Sequence, residues 1–162
     1  MSDAALFAAP GVEGAERPRR EFLTCRLGDE SYGIDILRVQ EIRQVDRVTR
    51  VPHVAGFTRG VINLRGAIVP IVDLGLMFGF ERPIELEQAS AIILTAGQRL
   101  VGLVVSGVSD VIALADDEIR PAPDLGGRAI AAAIAGIGVA ESGSVLLLDV
   151  DHLLQRIREE RE

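Results

Sequence analysis

Short apolar runs, rich in β-branched residues, alternate with glycine-containing turns along most of the chain. Runs of this length bounded by turn residues are typical of β-strands. Three of the runs contain a turn signal near their middle and so predict hairpins, with turns at Gly28-Asp29, at Gly97 and at Ser142-Gly143. The pattern therefore predicts a mostly β protein.

The stretch GVINLRGAIVPIVDLG, residues 60–75, predicts a fourth hairpin with Arg65 at or beside its tip. Gly66 supplies the positive φ that a tight turn requires, and β-branched residues flank the turn on both sides. Because Pro70 cannot donate to a ladder, its strand is predicted to lie at a sheet edge or to carry a bulge. An arginine presented beside an edge strand suits partner binding better than packing.

Aspartates mark the starts of the short helices. Asp73 is predicted to cap a helix over residues 74–78 that ends at Gly79, and Asp35 to cap a helical turn over residues 36–40. The chain closes with an amphipathic helix, whose apolar positions are Leu153, Leu154 and Ile157. The fold is thus predicted to be β with few helices.

The sequence contains a degenerate internal repeat, seen when the chain is aligned with itself. One constant offset, which we call the first offset, places Gly28, Gly33, Val39, Glu41 and Ile42 on Gly97, Gly102, Val108, Asp110 and Val111. A slightly larger one, the second offset, places Gly60 and Asp73 on Gly136 and Asp149. We interpret the chain as two copies of one β unit. In the second copy Glu141 stands where the first has Arg65, so the architecture does not require the tip arginine.

Composition narrows the class of protein. The 162 residues are 48% hydrophobic, enough to bury one core. A net charge of −7 and a 4% aromatic content argue against nucleic acid as a partner. Residues 1–19 predict a flexible tail before a domain at 20–162. Without a convincing signal peptide or an apolar run that could span a bilayer, the chain is expected to be cytoplasmic.

No residue pattern points to catalysis, a cofactor or a metal. A single cysteine, Cys25, excludes an intrachain disulfide framework, and its apolar strand favours a buried hydrophobe over a nucleophile. His53 and His152 are far apart in sequence, and no P-loop or nucleophile elbow is present. The acidic run 115–119 is typical of a solvated loop or a helix start. We therefore expect a protein that is not an enzyme.

Four segments identify a family: FLTCRLGDESYGIDILRVQEIR, VTRVPHVAGFTRGVINLRGAIVPIVDL, VGLVVSGVSDVIALADDEIRPAPDL and LLLDVDHLL. They closely resemble CheW, the family of coupling proteins in bacterial chemosensory arrays, over essentially residues 20–158. The resemblance implies two intertwined five-stranded SH3-like β-barrels with short helices and a C-terminal helix. It also implies a non-enzymatic adaptor between the cytoplasmic tips of methyl-accepting chemoreceptors and the regulatory domain of a CheA-type histidine kinase.

The resemblance also implies a receptor-binding site. Residue by residue, the matching positions are Ile36, Val39, Glu41, Gly60, Arg65, Gly102 and Val108. Glu41 and Arg65 match a family pair thought to be salt-bridged. Two departures limit the transfer: Gly75 stands where the family often has arginine, and the segment 128–143 is unusually rich in alanine.

One alternative function remains open at this point. Arg65 could be an ordinary solvated turn residue, or it could hold a small ligand or anion in a β-barrel regulatory domain that does not couple to a kinase. Binding to receptors together with the kinase would separate the adaptor hypothesis from this alternative.

Overall fold

The computed structural model describes residues 18–50, 56–122, 124, 129–141 and 143–161. Within them the strands are β1 Arg19–Leu27, β2 Glu30–Asp35, β3 Val39–Gln44, β4 Thr58–Leu64, β5 Ala67–Asp73, β6 Ser90–Ala96, β7 Arg99–Val105, β8 Gly107–Ala115, β9 Ile119–Arg120, β10 Ile134–Ala140 and β11 Gly143–Leu148. The α-helices are α1 Leu74–Met77, α2 Ala129–Ala133 and α3 Val150–Arg161, and 3-10 turns span Ile36–Arg38, Leu86–Gln88 and Asp116–Glu118. The predicted tail lies almost wholly outside the described residues.

The strands form two sheets, in the orders β3-β6-β7-β5-β4 and β8-β1-β2-β11-β10-β9. We call the first the Arg65 lobe and the second the Glu141 lobe, after the residues at their equivalent hairpin turns. Each lobe takes its central hairpin from one copy of the repeat and its other main strands from the other copy. The lobes are therefore intertwined, as expected, although the two-residue strand β9 extends the Glu141 lobe to six strands.

Strand registers follow the same correspondence as the internal repeat, since equivalent residues meet equivalent partners in the two lobes. Each of these correspondences follows the first and second offsets found in the sequence. The pairing pattern of one lobe is therefore repeated in the other. The matched pairings are Val39 with Leu94 and Val108 with Cys25, Gly60 with Ile71 and Gly136 with Leu147, and Gly102 with Ile71 and Gly33 with Leu147.

The predicted hairpin around Arg65 is present, with Arg65 and Gly66 as its two turn residues. Both have positive φ, 52° and 91°, as a turn between twisted antiparallel strands requires. The backbone N–H of Gly66 also donates to Asn63 Oδ1 at 2.9 Å. Arginine is an unusual choice for this left-handed conformation, which glycine and asparagine adopt at lower cost.

The expectation for Pro70 is wrong. Its strand, β5, is flanked by β4 and β7, so it is not an edge, and the register shift of the β4–β5 pair lies between Thr58 and Gly60. The parallel ladder with β7 begins only at Ile71. A residue without an N–H is therefore tolerated at the point where that ladder starts.

Both predicted aspartate caps are found. Asp73 Oδ1 accepts from Leu76 N at 2.9 Å at the start of α1, and Asp35 Oδ1 accepts from Leu37 N at 3.0 Å. The second turn ends at Arg38 rather than residue 40, because Val39 leaves it to pair with Leu94 on β6. Sheet pairing thus overrides the local helical preference.

One main core joins the two lobes. Its buried members come from both sheets and from α3, whose predicted apolar positions Leu153, Leu154 and Ile157 are all buried. Cys25 belongs to the same core, and burial raises the pKa of its thiol to about 12, as suits a buried hydrophobe. Among the described residues, no helix is long and apolar enough to cross a membrane.

Candidate functional site

The two charged residues of the predicted site form an ion pair on the surface. Arg65 Nη2 donates to Glu41 Oε2, although the residues are 24 positions apart in sequence. Glu41 lies on β3 and Arg65 follows β4, and these strands are the two opposite edges of the five-stranded sheet. The ion pair therefore joins the sheet edges across the opening of the Arg65 lobe.

The pair is open to solvent, since the Arg65 side chain is 63% exposed and the Glu41 side chain 26%. Arg43 Nη1 makes a second, longer contact of 3.5 Å with Glu41 Oε1. The hydrogen bond from Arg65, with its positive charge and that of Arg43, holds the pKa of Glu41 below its ordinary value. Glu41 in turn raises the pKa of Arg65. Both groups are thus charged at neutral pH and available to a partner.

Among the described residues, the Glu141 lobe has no counterpart of this pair. Asp110, which is equivalent to Glu41, lies at hydrogen-bond distance from the Thr24 hydroxyl, with Oδ1 to Oγ1 at 3.0 Å and Asp110 N to Oγ1 at 3.1 Å. Glu141, which is equivalent to Arg65, is acidic and could not pair with it. The two lobes therefore present different charges at equivalent places.

The apolar candidates Ile36, Val39 and Val108 are half-buried. All three pack from outside against the main core, so each offers only part of its side chain to a partner. Ile36 and Val39 belong to the segment that leads into Glu41, whereas Val108 lies on β8 in the other lobe. Only Ile36 and Val39 are thus placed on the segment that leads to the ion pair.

The glycine candidates are buried and act through the backbone. A Cβ on Gly60 would lie 2.3 Å from the carbonyl oxygen of Thr49, and one on Gly102 would lie 2.6 Å from Ile71 Cδ1. Gly60 also has a φ of +146°, which side chains rarely adopt. These glycines permit close strand approach, so any part they play in binding is indirect.

Three exposed apolar residues near the candidates were missed by the sequence analysis. Leu37 is 86% exposed, Ile42 on β3 is 45% exposed and Val111 on β8 is 47% exposed. Ile42 and Val111 are equivalent in the repeat, and both lie on edge strands. The sequence signal for these two residues was that the first offset places Ile42 on Val111. Apolar residues in an alternating strand pattern are, however, usually buried.

A second surface feature is an open groove of about 1300 Å³ beside α3. Its walls come from the β4–β5 hairpin, from the tip of the β6–β7 hairpin and from α3, and Ile68 on β5 is 64% exposed there. Arg38, Arg99 and Arg158 also line the groove. It is thus an apolar groove bordered by arginines on a chain of net charge −7.

Gly75, where the family often has arginine, is covered by an aromatic ring. A Cβ on Gly75 would lie 3.0 Å from Phe80 Cδ2, and Phe80 N donates to the Gly75 carbonyl at 2.9 Å. The Phe80 ring also lies over the turn glycine Gly28. A larger side chain at position 75 would have to displace this ring. The local packing therefore fits glycine at this position, where the family often has arginine.

The described residues contain no group of three or more His, Cys, Asp or Glu that could hold a metal ion. The acidic run at 115–119 includes a 3-10 turn, Asp116–Glu118, which agrees with the predicted helix start. Glu118 Oε1 accepts from Ala115 N at 2.8 Å and pairs with Arg19 Nη1 at 3.2 Å. His53 lies outside the described residues.

Comparison with known proteins identifies the family to which this fold of two intertwined β lobes belongs. Residues 21–158 match the CheW-like domain family. The chain is 46% identical over 135 residues to the chemotaxis protein CheW of Klebsiella aerogenes, covering 83% of this chain and 81% of the relative. It is 34% identical over 143 residues to CheW of Rhizobium meliloti, covering 88% and 91%.

Among solved structures, the scaffolding protein TtCheW from Thermoanaerobacter tengcongensis superposes with a TM-score of 0.74 at 28% identity. The match covers 82% of this chain and 90% of that one. The chain belongs to the CheW family.

Proposed function

We propose that this protein is an adaptor that couples chemoreceptors to a CheA-type histidine kinase by binding both. The observation that carries the proposal is the Glu41–Arg65 ion pair, which is exposed and, within the described residues, occurs in only one of two equivalent lobes. An ion pair that the repeated architecture does not require suits recognition of a specific partner. The membership of the family supports the same class of function.

The receptor tip, a helical hairpin, binds at the surface around β3. This surface combines the exposed side chains of Leu37 and Ile42, the partly exposed Val39 and the charged pair. Apolar contacts beside a fixed ion pair suit an amphipathic helix, because its apolar face can be buried while the charges set its register. The acidic Glu141 lobe would reject the same helix through like charge if that helix is acidic at this point.

The kinase regulatory domain docks on a different face, on the edge strand β4 and the neighbouring groove beside α3. Ile68, which is exposed, and Val61 on β4 line this groove together with three arginines. Because the backbone N–H and carbonyl of Val61 already pair with Thr49, the partner is contacted by the side chains that line the groove rather than by added strand pairing. Two separate faces allow the receptor and the kinase to bind at the same time.

The adaptor acts by binding rather than by turnover, and each contact can be weak. An adaptor transmits a signal only when its affinity differs between the two states of the receptor. In an array many copies are held together, so modest affinities give a stable assembly through effective concentration. This requires no cofactor and no catalytic group.

The alternative, a regulatory domain that binds a small anion through Arg65, has less support. The Arg65 guanidinium already donates to Glu41, which neutralises the charge that an anion would need. Removal of Glu41 would improve binding of a small anion, whereas it would weaken binding of a receptor tip that needs both charges.

A competition measurement tests the adaptor proposal. The protein is saturated with a soluble receptor fragment and titrated with the purified kinase regulatory domain, with Arg65→Ala and Ile68→Asp as variants. We expect a ternary complex, with Arg65→Ala reducing only receptor affinity and Ile68→Asp only kinase affinity. Glu141→Ala, at the equivalent turn, is the matched control. Displacement of the kinase by the receptor would show one shared site and refute the bridging mechanism.

A further inference from the structure

The segment that leads into the receptor-facing surface is tied to α3 by an ion pair. Arg38, at the end of the 3-10 turn Ile36–Arg38, contacts Asp151 in the first turn of α3, with Nη1 to Oδ1 at 2.9 Å. The pair is accessible to solvent, since the side chains are 31% and 81% exposed. Exposed pairs add little to stability, so its position is of more interest than its energy.

The same turn reaches α3 through the apolar core. Ile36 and Val39, on either side of Arg38, pack against the cluster to which α3 contributes Leu153 and Ile157. A movement of this turn would therefore be transmitted to α3 in two ways, through the apolar packing and through the ion pair. Packed helices respond to such changes by small shifts as units, because a close-packed core does not deform continuously.

The middle of α3 is anchored independently. Arg156 Nη1 donates to the Met77 carbonyl at 3.3 Å, at the end of α1, and its guanidinium lies 5.6 Å from the centre of the Phe57 ring. Beside these anchors α3 exposes residues that line the groove near Ile68, among them Gln155 and Arg158. The helix thus extends from the receptor-facing turn to the proposed kinase face.

The Arg38–Asp151 pair is not a product of the repeated architecture. The first offset places Gly107 at the position equivalent to Arg38, and the second offset places Gly75 at the position equivalent to Asp151. Both partners are therefore absent at the equivalent place in the other half of the molecule. Since the other half of the molecule completes its fold without this contact, the repeated architecture does not require the Arg38–Asp151 pair.

We propose that the Arg38–Asp151 ion pair is a positioning contact through which receptor binding at the β3 surface adjusts α3 and so changes kinase affinity at the groove. The inference rests on the proposed function and adds its route of regulation. Both residues also line the groove of the proposed kinase face, so the pair lies where the receptor-facing turn meets that face. The pair determines how much of a movement of the receptor-facing turn is transmitted to α3.

The test measures the coupling between two binding events. The affinity of the kinase regulatory domain is determined with and without saturating receptor fragment, for the wild type, Arg38→Asp, Asp151→Arg and the double exchange. We expect the receptor to change kinase affinity about fivefold or more in the wild type, the lower end of typical allosteric coupling. Each single variant should reduce this factor to within about twofold of unity, and the double exchange should restore it.

Three further outcomes have defined meanings. Failure of the wild type to bind either partner would refute the proposed function itself. Binding of both partners with the same coupling factor in the single variants would refute only the role of this ion pair. Loss of direct kinase binding in Arg38→Asp, with no rescue by the exchange, would assign Arg38 to the kinase interface and also overturn the proposal. Glu30→Arg and Arg120→Asp, which change exposed residues elsewhere on the surface, control for net charge.

Discussion

Arg65 and Glu41 connect the first and last strands of one sheet, because β3 and β4 lie at its opposite edges and the two side chains meet across the gap. The ion pair could therefore either fasten the lobe or mark a binding surface. The Glu141 lobe closes without such a pair, since its equivalent positions are both acidic. This comparison favours a role of the ion pair in recognition over a structural role. The two roles predict different effects of substitution on binding and on stability.

Replacing Arg65 or Glu41 with alanine is expected to weaken binding of a receptor fragment by about fivefold or more, since a charge that sets the register of a partner is lost. The melting temperature should change little, because exposed ion pairs contribute little to folding. Titration calorimetry and thermal melts on the same preparations measure the two effects. A large drop in melting temperature with unchanged binding would make the pair structural.

Replacing Arg65 with asparagine separates the backbone from the side chain. Arg65 has a φ of 52°, which asparagine adopts more readily than arginine or alanine. We expect Arg65→Asn to melt about 1–4 °C above Arg65→Ala while binding receptor equally poorly. Equal melting of the two variants would show that the left-handed turn carries no strain. Full binding by Arg65→Asn would show that the turn, and not the guanidinium, is recognised.

The turn and caps of this site follow from local chemistry, and so they could be predicted from the sequence. Gly66 favours a turn and Asp73 a helix start, whatever the rest of the chain does. The edge status of the Pro70 strand could not be predicted, because it depends on the pairing of β5 with β7, whose residues come from the other copy of the repeat. The early end of the turn after Asp35 has the same cause, since β6 captures Val39.

The proposed binding surface was predicted less completely than the fold. Glu41 was matched to Arg65 through the family and not through its local pattern, because the pair is formed by distant parts of the chain. Leu37 and Ile42 were not predicted as exposed, since apolar residues at strand spacing are most often core. Only the closed arrangement of the lobe shows which side of β3 lacks a neighbour.

The titration of Glu41 gives a pH test of the pair. Its pKa is lowered in the folded protein, so the interaction is complete above the unfolded pKa of glutamate and is lost as pH falls through the lower folded value. Carbon-detected NMR of the side-chain carboxyl should show a titration below the ordinary range of glutamate. Arg65→Ala should raise that pKa, and Arg43→Ala should raise it less, because the contact with Arg43 is the longer one. An unchanged pKa in Arg65→Ala would mean that the pair does not form in solution.

The buried thiol provides an independent measure of the fold. Cys25 is fully buried with a pKa of about 12, so both access and thiolate formation are suppressed in the native state. Alkylation at about pH 8 should be at least about a hundredfold slower than in denaturant, because it requires local or global opening. Ile68→Cys, exposed on β5, should react at once and serves as the control. Fast reaction of native Cys25 would contradict the core described here.

Asp73 carries a structural ion pair that Asp149, its equivalent in the repeat, lacks among the residues that the structure describes. Its buried Oδ2 accepts from Arg59 Nη1 at 3.1 Å and from Ile84 N at 2.8 Å, in addition to the cap at Leu76. Asp149 makes the cap, accepting from His152 N at 3.0 Å, and Ala135 stands where Arg59 would be. The two aspartates therefore share one role and differ in another.

Substitution of the two aspartates should separate these roles. Asp73→Ala leaves the Arg59 charge without its partner in a largely buried place and should lower the free energy of unfolding by about 3–5 kcal/mol. Asp149→Ala loses only a helix cap and should cost about 1 kcal/mol. Urea denaturation of both variants and the wild type, with the slopes compared, measures the difference. Equal losses would mean that the buried pair adds nothing beyond the cap, and a larger loss in Asp149→Ala would reverse the assignment of the two roles.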